Sequence, residues 1–194
     1  MQYWYPLIAY LLGSIPFGLI LSNLFGKGNL RESGSKNIGT TNVMRTQGKY
    51  LGMLTFLLDF GKGAAAVYFL QTDNSLLNIA VAILPVFGHM YPIWLKFNGG
   101  KGIATYFGVL FVLSPITFVC TVILWAITYV VTKISAICGI VSAVISLPIF
   151  YYQESARYLD FVNLFCALIF LVIVIVFRHK ENIRRLIDGN ELKI

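Results

Sequence analysis

Residues 103–132 read IATYFGVLFVLSPITFVCTVILWAITYVVT, without one charged side chain. As a single helix this run would measure about 45 Å, against a bilayer hydrocarbon core of about 30 Å. Ser114-Pro115 stands near its middle, where a helix can break. The run therefore reads as two short helices, and the loops on either side test that reading by parity.

Outward from it lie five further apolar stretches, at 4–25, 51–70, 76–95, 134–152 and 161–177. Lipid offers the backbone no hydrogen-bond partners, so each is read as a helix. Between them are a polar stretch at 26–50, a Gly-rich loop at 96–102 and a charged tail at 178–194. All three are rich in Lys and Arg, which marks the cytoplasmic side. Two crossings follow Lys133, so tail and Gly-rich loop share a face only if 103–132 crosses twice or not at all. Of the 15 basic residues, all but Lys62 (in a span) and Arg157 (outside) then fall on the cytoplasmic side, Lys27 being the first. Asp73, Glu154 and Asp160 fall outside. The expectation is an all-α integral membrane protein of seven transmembrane helices, one domain over 1–194, N-terminus outside and C-terminus cytoplasmic. Each half of 103–132 is only about 21–24 Å long as a helix, so a thinned bilayer or a re-entrant pair is the alternative.

Composition agrees. The 194 residues are 58% hydrophobic and 12% charged, against about 25% charged in soluble domains. That leaves too little polar surface to coat a globule. The N-terminus has no basic residue before Lys27, so it reads as a retained span and not a cleavable signal. Cys120, Cys138 and Cys166 sit in apolar runs without metal-site spacing and read as small buried hydrophobes. There is no internal repeat and no midplane pair of broken helices of the transporter kind.

Three polar segments hold the chemistry. The first, Ser33-Gly34-Ser35-Lys36-Asn37-Ile38-Gly39-Thr40-Thr41-Asn42-Val43-Met44-Arg45, mixes glycines with hydroxyl, amide and cationic donors. Glycines let backbone amides converge on an anion, and the Arg45 fork suits phosphate. The second runs Gly88-His89-Met90-Tyr91-Pro92, then Phe97-Asn98-Gly99-Gly100-Lys101-Gly102-Ile103-Ala104-Thr105. Its glycines precede a helix, so amides and helix N-terminus can face an anion, with Lys101 as a point charge. The Walker A spacing is absent. His89 is either a structural hydrogen-bonder or a ligand contact. The third, Arg178-His179-Lys180-Glu181-Asn182-Ile183-Arg184-Arg185-Leu186, puts His179 and Asn182 on one helix face. Arg184, Arg185 and Lys193 read as an anchor for lipid headgroups, with Ile183 and Leu186 on the bilayer. Asp59 and Lys62, at i, i+3 inside a span, are either a buried structural pair or a substrate contact. Glu181 reads as an orienting partner for a cation.

Phosphate-seeking segments on one face of a bilayer call for a soluble phosphorylated substrate and a lipid-soluble one. No metal-ligand spacing or carboxylate cluster appears, so neither metal nor other cofactor is expected. The cations lie within a few positions of spans, no nucleic-acid motif appears, and no protein partner is expected. A transporter of phosphorylated metabolites would place polar residues at mid-membrane and on both faces. A purely structural membrane partner would show no substrate dependence.

Together the segments resemble the bacterial acyl-phosphate:glycerol-3-phosphate acyltransferase family (PlsY). The resemblance rests on S-G-S-x-N-x-G-x-T-N-x-x-R (33–45), G-H-x-x-P with G-G-K-G-x-A-T (88–105), and R-H-x-x-N-I-x-R-L (178–186), with Leu58-Asp59 and Lys62-Gly63 in the second span. Lys36 stands where that family commonly has Gly, which concerns local loop conformation, and Thr40 where it commonly has Ala. The resemblance implies a multi-pass enzyme of the bacterial cytoplasmic (inner) membrane, with its site facing the cytoplasm. It would transfer an acyl chain from acyl phosphate to the sn-1 hydroxyl of glycerol 3-phosphate, giving lysophosphatidic acid and phosphate. The H-x-x-x-x-D pair of other membrane glycerolipid acyltransferases is absent, since Trp94 and Arg184 stand five residues after the two histidines.

On this reading Ser35, Arg45, Lys101, His179 and Asn182 are catalytic. Gly34, Asn37, Gly39, Thr41, Asn42, Gly99, Gly100, Gly102 and Thr105 bind substrate. Asp59, Lys62, His89, Arg178 and Glu181 support them. Lys101, Arg45 and the glycine amides would hold the phosphates, and Ser35, Asn37 and Thr41 would orient the acceptor. His179 with Asn182 either binds the acceptor phosphate or takes its proton. The substrate phosphate, with a second pKa near 6, is an alternative base. No triad-like base flanks Ser35, which speaks against a covalent role.

Overall fold

The computed structural model describes residues 2–25 and 28–193; Lys27, assigned above to the cytoplasmic side, lies outside them. The described residues form α-helices and two single 3-10 turns, with no strand. The helices are α1 (Tyr5–Gly13), α2 (Phe17–Leu24), α3 (Thr40–Gln47), α4 (Lys49–Phe69) and α5 (Ser75–Met90). They continue with α6 (Ile103–Leu113), α7 (Pro115–Thr132), α8 (Ser135–Glu154), α9 (Phe161–Arg178) and α10 (Lys180–Ile187).

Five helical stretches, within 49–69, 75–95, 115–132, 135–154 and 161–178, are long and apolar enough to cross a membrane. The pair α1 and α2, bent by 43°, makes a sixth if taken as one span. That bend corrects the reading of 4–25 as one helix. Pro16 brings no N–H and disfavours helical geometry at Ile15, so the helix stops at Gly13. The Ile15 carbonyl freed by the break accepts a hydrogen bond from Lys62 Nζ at 2.7 Å.

The expected break at Ser114-Pro115 is present, with Pro115 as the first residue of α7, where its missing N–H costs nothing. Although α6 has only 11 residues, the segment containing it spans the bundle. Arg178, closing α9, donates to the Gly99 and Gly100 carbonyls at 2.8 and 3.2 Å. Tyr158 Oη, just before α9, donates to the Leu113 carbonyl at 2.6 Å. The segment 99–113 thus matches α9 end to end. Its helical part supplies about 16 Å, against about 27 Å for α9. The non-helical residues 99–102, with Gly102 left-handed at φ +87, make up the rest.

Small residues allow the closest packing. A Cβ at Gly63 would strike the Thr105 carbonyl, and one at Gly108 the Phe60 carbonyl, so α4 and α6 meet backbone to backbone. Tyr106, Phe107, Leu110, Phe150, Leu168 and Leu171 fill the core between α6, α8 and α9. Tyr106 Oη and Ser146 Oγ are hydrogen-bonded within it at 2.7 Å. Of the cysteines only Cys138 is buried; Cys166 is exposed on the outer surface of α9, which corrects the expectation of three buried thiols.

Loop 28–39, the Gly-rich segment and the C-terminal tail gather at one end of the bundle. Arg31 Nη2 donates to the Asn98 carbonyl at 2.6 Å. Arg45 Nη2 reaches the carbonyls of Leu192 and Lys193 at 3.4 and 3.3 Å.

Candidate active site

A cavity of about 480 Å³ opens where these loops meet. Three helices begin at it. Their N-cap residues, Gly39 for α3, Gly102 for α6 and His179 for α10, all line the cavity, and none makes a side-chain capping bond. The first N–H groups of a helix have no partner within it and carry the positive end of the dipole. Uncapped starts around one cavity suit an anion. Ser135 and Ala136 at the start of α8 also line it.

Side chains add to this field. Arg45, Lys101, Ser35, Asn37, Thr41, His179 and Asn182 line the cavity. Burial pushes the Lys101 ammonium down to about 8, with Arg185 and Arg45 pushing the same way and Glu191 and Glu181 opposing. Burial also lowers the Arg45 guanidinium, against the pull of Glu191. His179 is buried, and its Nδ1 lies 2.8 Å from the Ile175 carbonyl. A carbonyl only accepts, so Nδ1 bears the proton and Nε2 the lone pair. Burial, then the Lys101 charge, pushes the imidazole down to about 4, so it is neutral at pH 7. Apolar and aromatic side chains line the cavity too: Phe56 of α4, Phe107 of α6, and Val122, Trp125 and Tyr129 of α7.

Other residues hold this arrangement. Asn42 is buried; its Oδ1 accepts the Ser35 amide at 2.8 Å, and its Nδ2 donates to the carbonyls of Leu30, Ser33 and Asn37. It staples the first loop, although it also lines the cavity. Asn37 Oδ1 accepts the Gly39 amide at 2.9 Å. Gly34 takes φ +60 directly over the Asn42 side chain, a conformation and a space that exclude a Cβ. Gly99 and Gly100 donate their amides to the Met90 and His89 carbonyls, both at 3.0 Å, and Arg178 takes their carbonyls. The Arg178 guanidinium also stacks on Tyr91. Thr105 is buried at the α4–α6 contact, outside the cavity lining. Beneath the loop, Asp59 lies 2.7 Å from Lys62 and 3.5 Å from His89, whose ring abuts Gly100. This buried trio ties the break in the first span to the Gly-rich segment.

The structure adds one residue to the expected set. Glu191, in the tail, lines the cavity and accepts from Asn182 Nδ2 and Arg185 Nε, both at 2.7 Å. Arg185, expected as a lipid anchor, pairs with this cavity-lining carboxylate without itself lining the cavity; Arg184 is exposed, and so is Glu181. Among the described residues no group of His, Cys, Asp or Glu is placed to hold a metal.

A model of the family described as glycerol-3-phosphate acyltransferase matches residues 3–189. The chain belongs to this family. A glycerol-3-phosphate acyltransferase of Dinoroseobacter shibae is 44% identical over 192 residues, spanning 97% of this chain and 90% of that one. One from Wolbachia pipientis is 42% identical, spanning 99% and 98%. The crystal structure of PlsY (YgiH), an integral membrane glycerol 3-phosphate acyltransferase, in its glycerol 3-phosphate form matches with a TM-score of 0.88. Identity there is 34%, and the match covers 100% of this chain and 95% of the other. A lysophosphatidic acid form matches with the same TM-score. This acyltransferase thus shares both sequence and architecture with its relatives along nearly its whole length.

Proposed function

We propose that the cavity binds acyl phosphate and glycerol 3-phosphate together and transfers the acyl group to the sn-1 hydroxyl of the latter. The observation that supports this best is the mixed lining of the cavity. It joins uncapped helix starts and two cations to aromatic and aliphatic side chains suited to a fatty chain. Both substrates bring phosphate, and one brings the chain.

Lys101, Arg45 and the amides at the starts of α3 and α6 neutralise the phosphates and the charge that grows as phosphate departs. Ser35, Asn37 and Thr41 hold the glycerol moiety, so that its hydroxyl oxygen attacks the acyl carbonyl carbon by proximity. The new C–O ester bond forms as the carbon–oxygen bond to phosphate breaks, and phosphate leaves with that electron pair. The hydroxyl proton passes to a phosphate oxygen. With a second pKa near 6, that group is a stronger base than His179 at about 4. His179 Nε2 then accepts a hydrogen bond from the substrate instead of a full proton, and Asn182 stands beside it. Mixing purified enzyme with both substrates should release one phosphate for each 1-acylglycerol 3-phosphate formed. Equal turnover with acyl-CoA in place of acyl phosphate would refute the assignment of the donor.

The same reading carries seven crossings, with α6 and α7 as a separate pair, the N-terminus outside and the site at the cytoplasmic face of a bacterial inner membrane. It is supported by the path of 99–113 from the Arg178 end to the Tyr158 end. In a cysteine-free background, single cysteines at 36, 96 and 184 should label from the cytoplasmic side. Those at 73 and 157 should label from the other side; any exchange between the groups would reject the topology.

A further inference from the structure

Threonines inside helices usually return their hydroxyl to the preceding turn. Thr46, Thr55, Thr121, Thr128 and Thr132 all do so here, donating to the carbonyl four residues earlier. Thr40 cannot. It is the first residue of α3, and four residues before it the chain is a loop, with Lys36 in the left-handed region. Its Oγ is buried and has no hydrogen-bond partner among the described residues. The residue lines the cavity beside the N-cap Gly39, and Arg45, five residues along α3, faces the same cavity with its Nε buried and unpartnered too. A buried donor left without an acceptor costs free energy until one arrives. Thr40 stands at the positive end of α3 and Arg45 in its last turn, and both line the same cavity as Lys101; two such donors are matched by an anionic oxygen.

We propose that Thr40 is a further substrate-binding residue, whose hydroxyl donates to a phosphoryl oxygen held in the cavity. Threonine in a helix occupies two χ1 wells, and movement between them on binding brings Oγ to the ligand. Nothing is transferred in this step; one hydrogen bond forms. The inference rests on the phosphate chemistry proposed above. The shared feature of acyl phosphate, glycerol 3-phosphate and inorganic phosphate is the group it recognises, so the experiment must separate them.

The test compares Thr40→Ala, Thr40→Val and Thr40→Ser in the purified full-length enzyme. KM is measured for each substrate in turn, and the Kd of glycerol 3-phosphate and of inorganic phosphate by calorimetry. Losing one hydrogen bond to a charged group should raise KM for the substrate whose phosphate it holds by roughly tenfold in Ala and Val. The other KM and kcat should move little, and Ser should restore the wild-type value. A matching loss of inorganic phosphate affinity is expected if the donor phosphate is the one held. Unchanged KM for both substrates in Ala would overturn the proposal, as would a Ser variant no better than Val, which would assign the effect to packing. The calorimetric arm needs no turnover. A wild-type enzyme inactive with these substrates would therefore count against the reaction, while calorimetric affinities for glycerol 3-phosphate and for inorganic phosphate both equal in wild type and all three variants would count against the hydroxyl.

Discussion

Asn182 Nδ2 donates to Glu191 Oε1 at 2.7 Å, and the other oxygen of the same carboxylate accepts Arg185 Nε at 2.7 Å. The tail is thereby folded back onto the start of α10, and the amide of Asn182 is fixed beside His179. A hydrogen bond to a charged group contributes about 1.5–3 kcal/mol. Glu191→Ala should therefore lower kcat/KM by about tenfold or more. Glu191→Gln keeps an acceptor for Asn182 and should lose less. Steady-state kinetics of the two variants checks this, and an Ala variant with wild-type kinetics would remove Glu191 from the site.

The pH profile follows from Lys101. Burial sets its pKa at about 8, so the ammonium is present below that pH and is lost as pH rises through it. The profile of kcat/KM reports the free enzyme and should fall above about pH 8. Lys101→Arg keeps its charge and should move that limb upward. Glu191→Gln removes a carboxylate that raises the Lys101 pKa and should move the limb down. On the acid side His179, held at about 4, is already neutral near pH 6. An acid limb near 6 then belongs to the second ionisation of the substrate phosphate. A limb near 4 with none near 6 would return the proton to His179.

Lys36 adopts φ +59, a region that costs a side-chain-bearing residue about 1–2 kcal/mol. Lys36→Gly should stabilise the protein by about 1 kcal/mol and raise Tm by about 2–4 °C for a chain of this size. Thermal unfolding in detergent measures it, and a lower Tm would show that the lysine contributes contacts outweighing the backbone cost.

Asp59 and Lys62, both buried and 2.7 Å apart, sit inside a span. Removing one partner strands the other charge in a nonpolar setting, at about 3–5 kcal/mol. Lys62→Met also removes the shorter of the two hydrogen bonds to the Ile15 carbonyl, leaving the Phe17 amide at 3.1 Å. It should sharply lower Tm, and adding Asp59→Asn should restore part of the loss. A double variant less stable than Lys62→Met alone would contradict charge pairing as the reason for the pair.

The sequence was most legible where a residue leaves a backbone signature. Ser114-Pro115 announced the α6–α7 break because proline cannot continue the ladder in an overlong run. Pro16 gave no such warning, since residues 4–25 have the length of one ordinary span. The convergence of helix starts was readable only at α6. Good capping residues are recognised by their side chains, and Gly39, Gly102 and His179 make no side-chain capping bond that would mark their helix starts. Glu191 is illegible in the sequence for a different cause. In a short charged tail beside basic residues, composition suggests a headgroup anchor, and only tertiary folding shows Arg185 paired with it.

Whether uncapped helix starts, Arg45 and Lys101 form one phosphate-binding cavity is tested most directly by calorimetric titration of the purified protein with glycerol 3-phosphate, with glycerol as the comparison. Saturable binding of glycerol 3-phosphate, weakened by Lys101→Ala and by Arg45→Ala, and no detectable binding of glycerol, is the predicted result. Equal affinity for the two ligands, or phosphate binding indifferent to both substitutions, would contradict it.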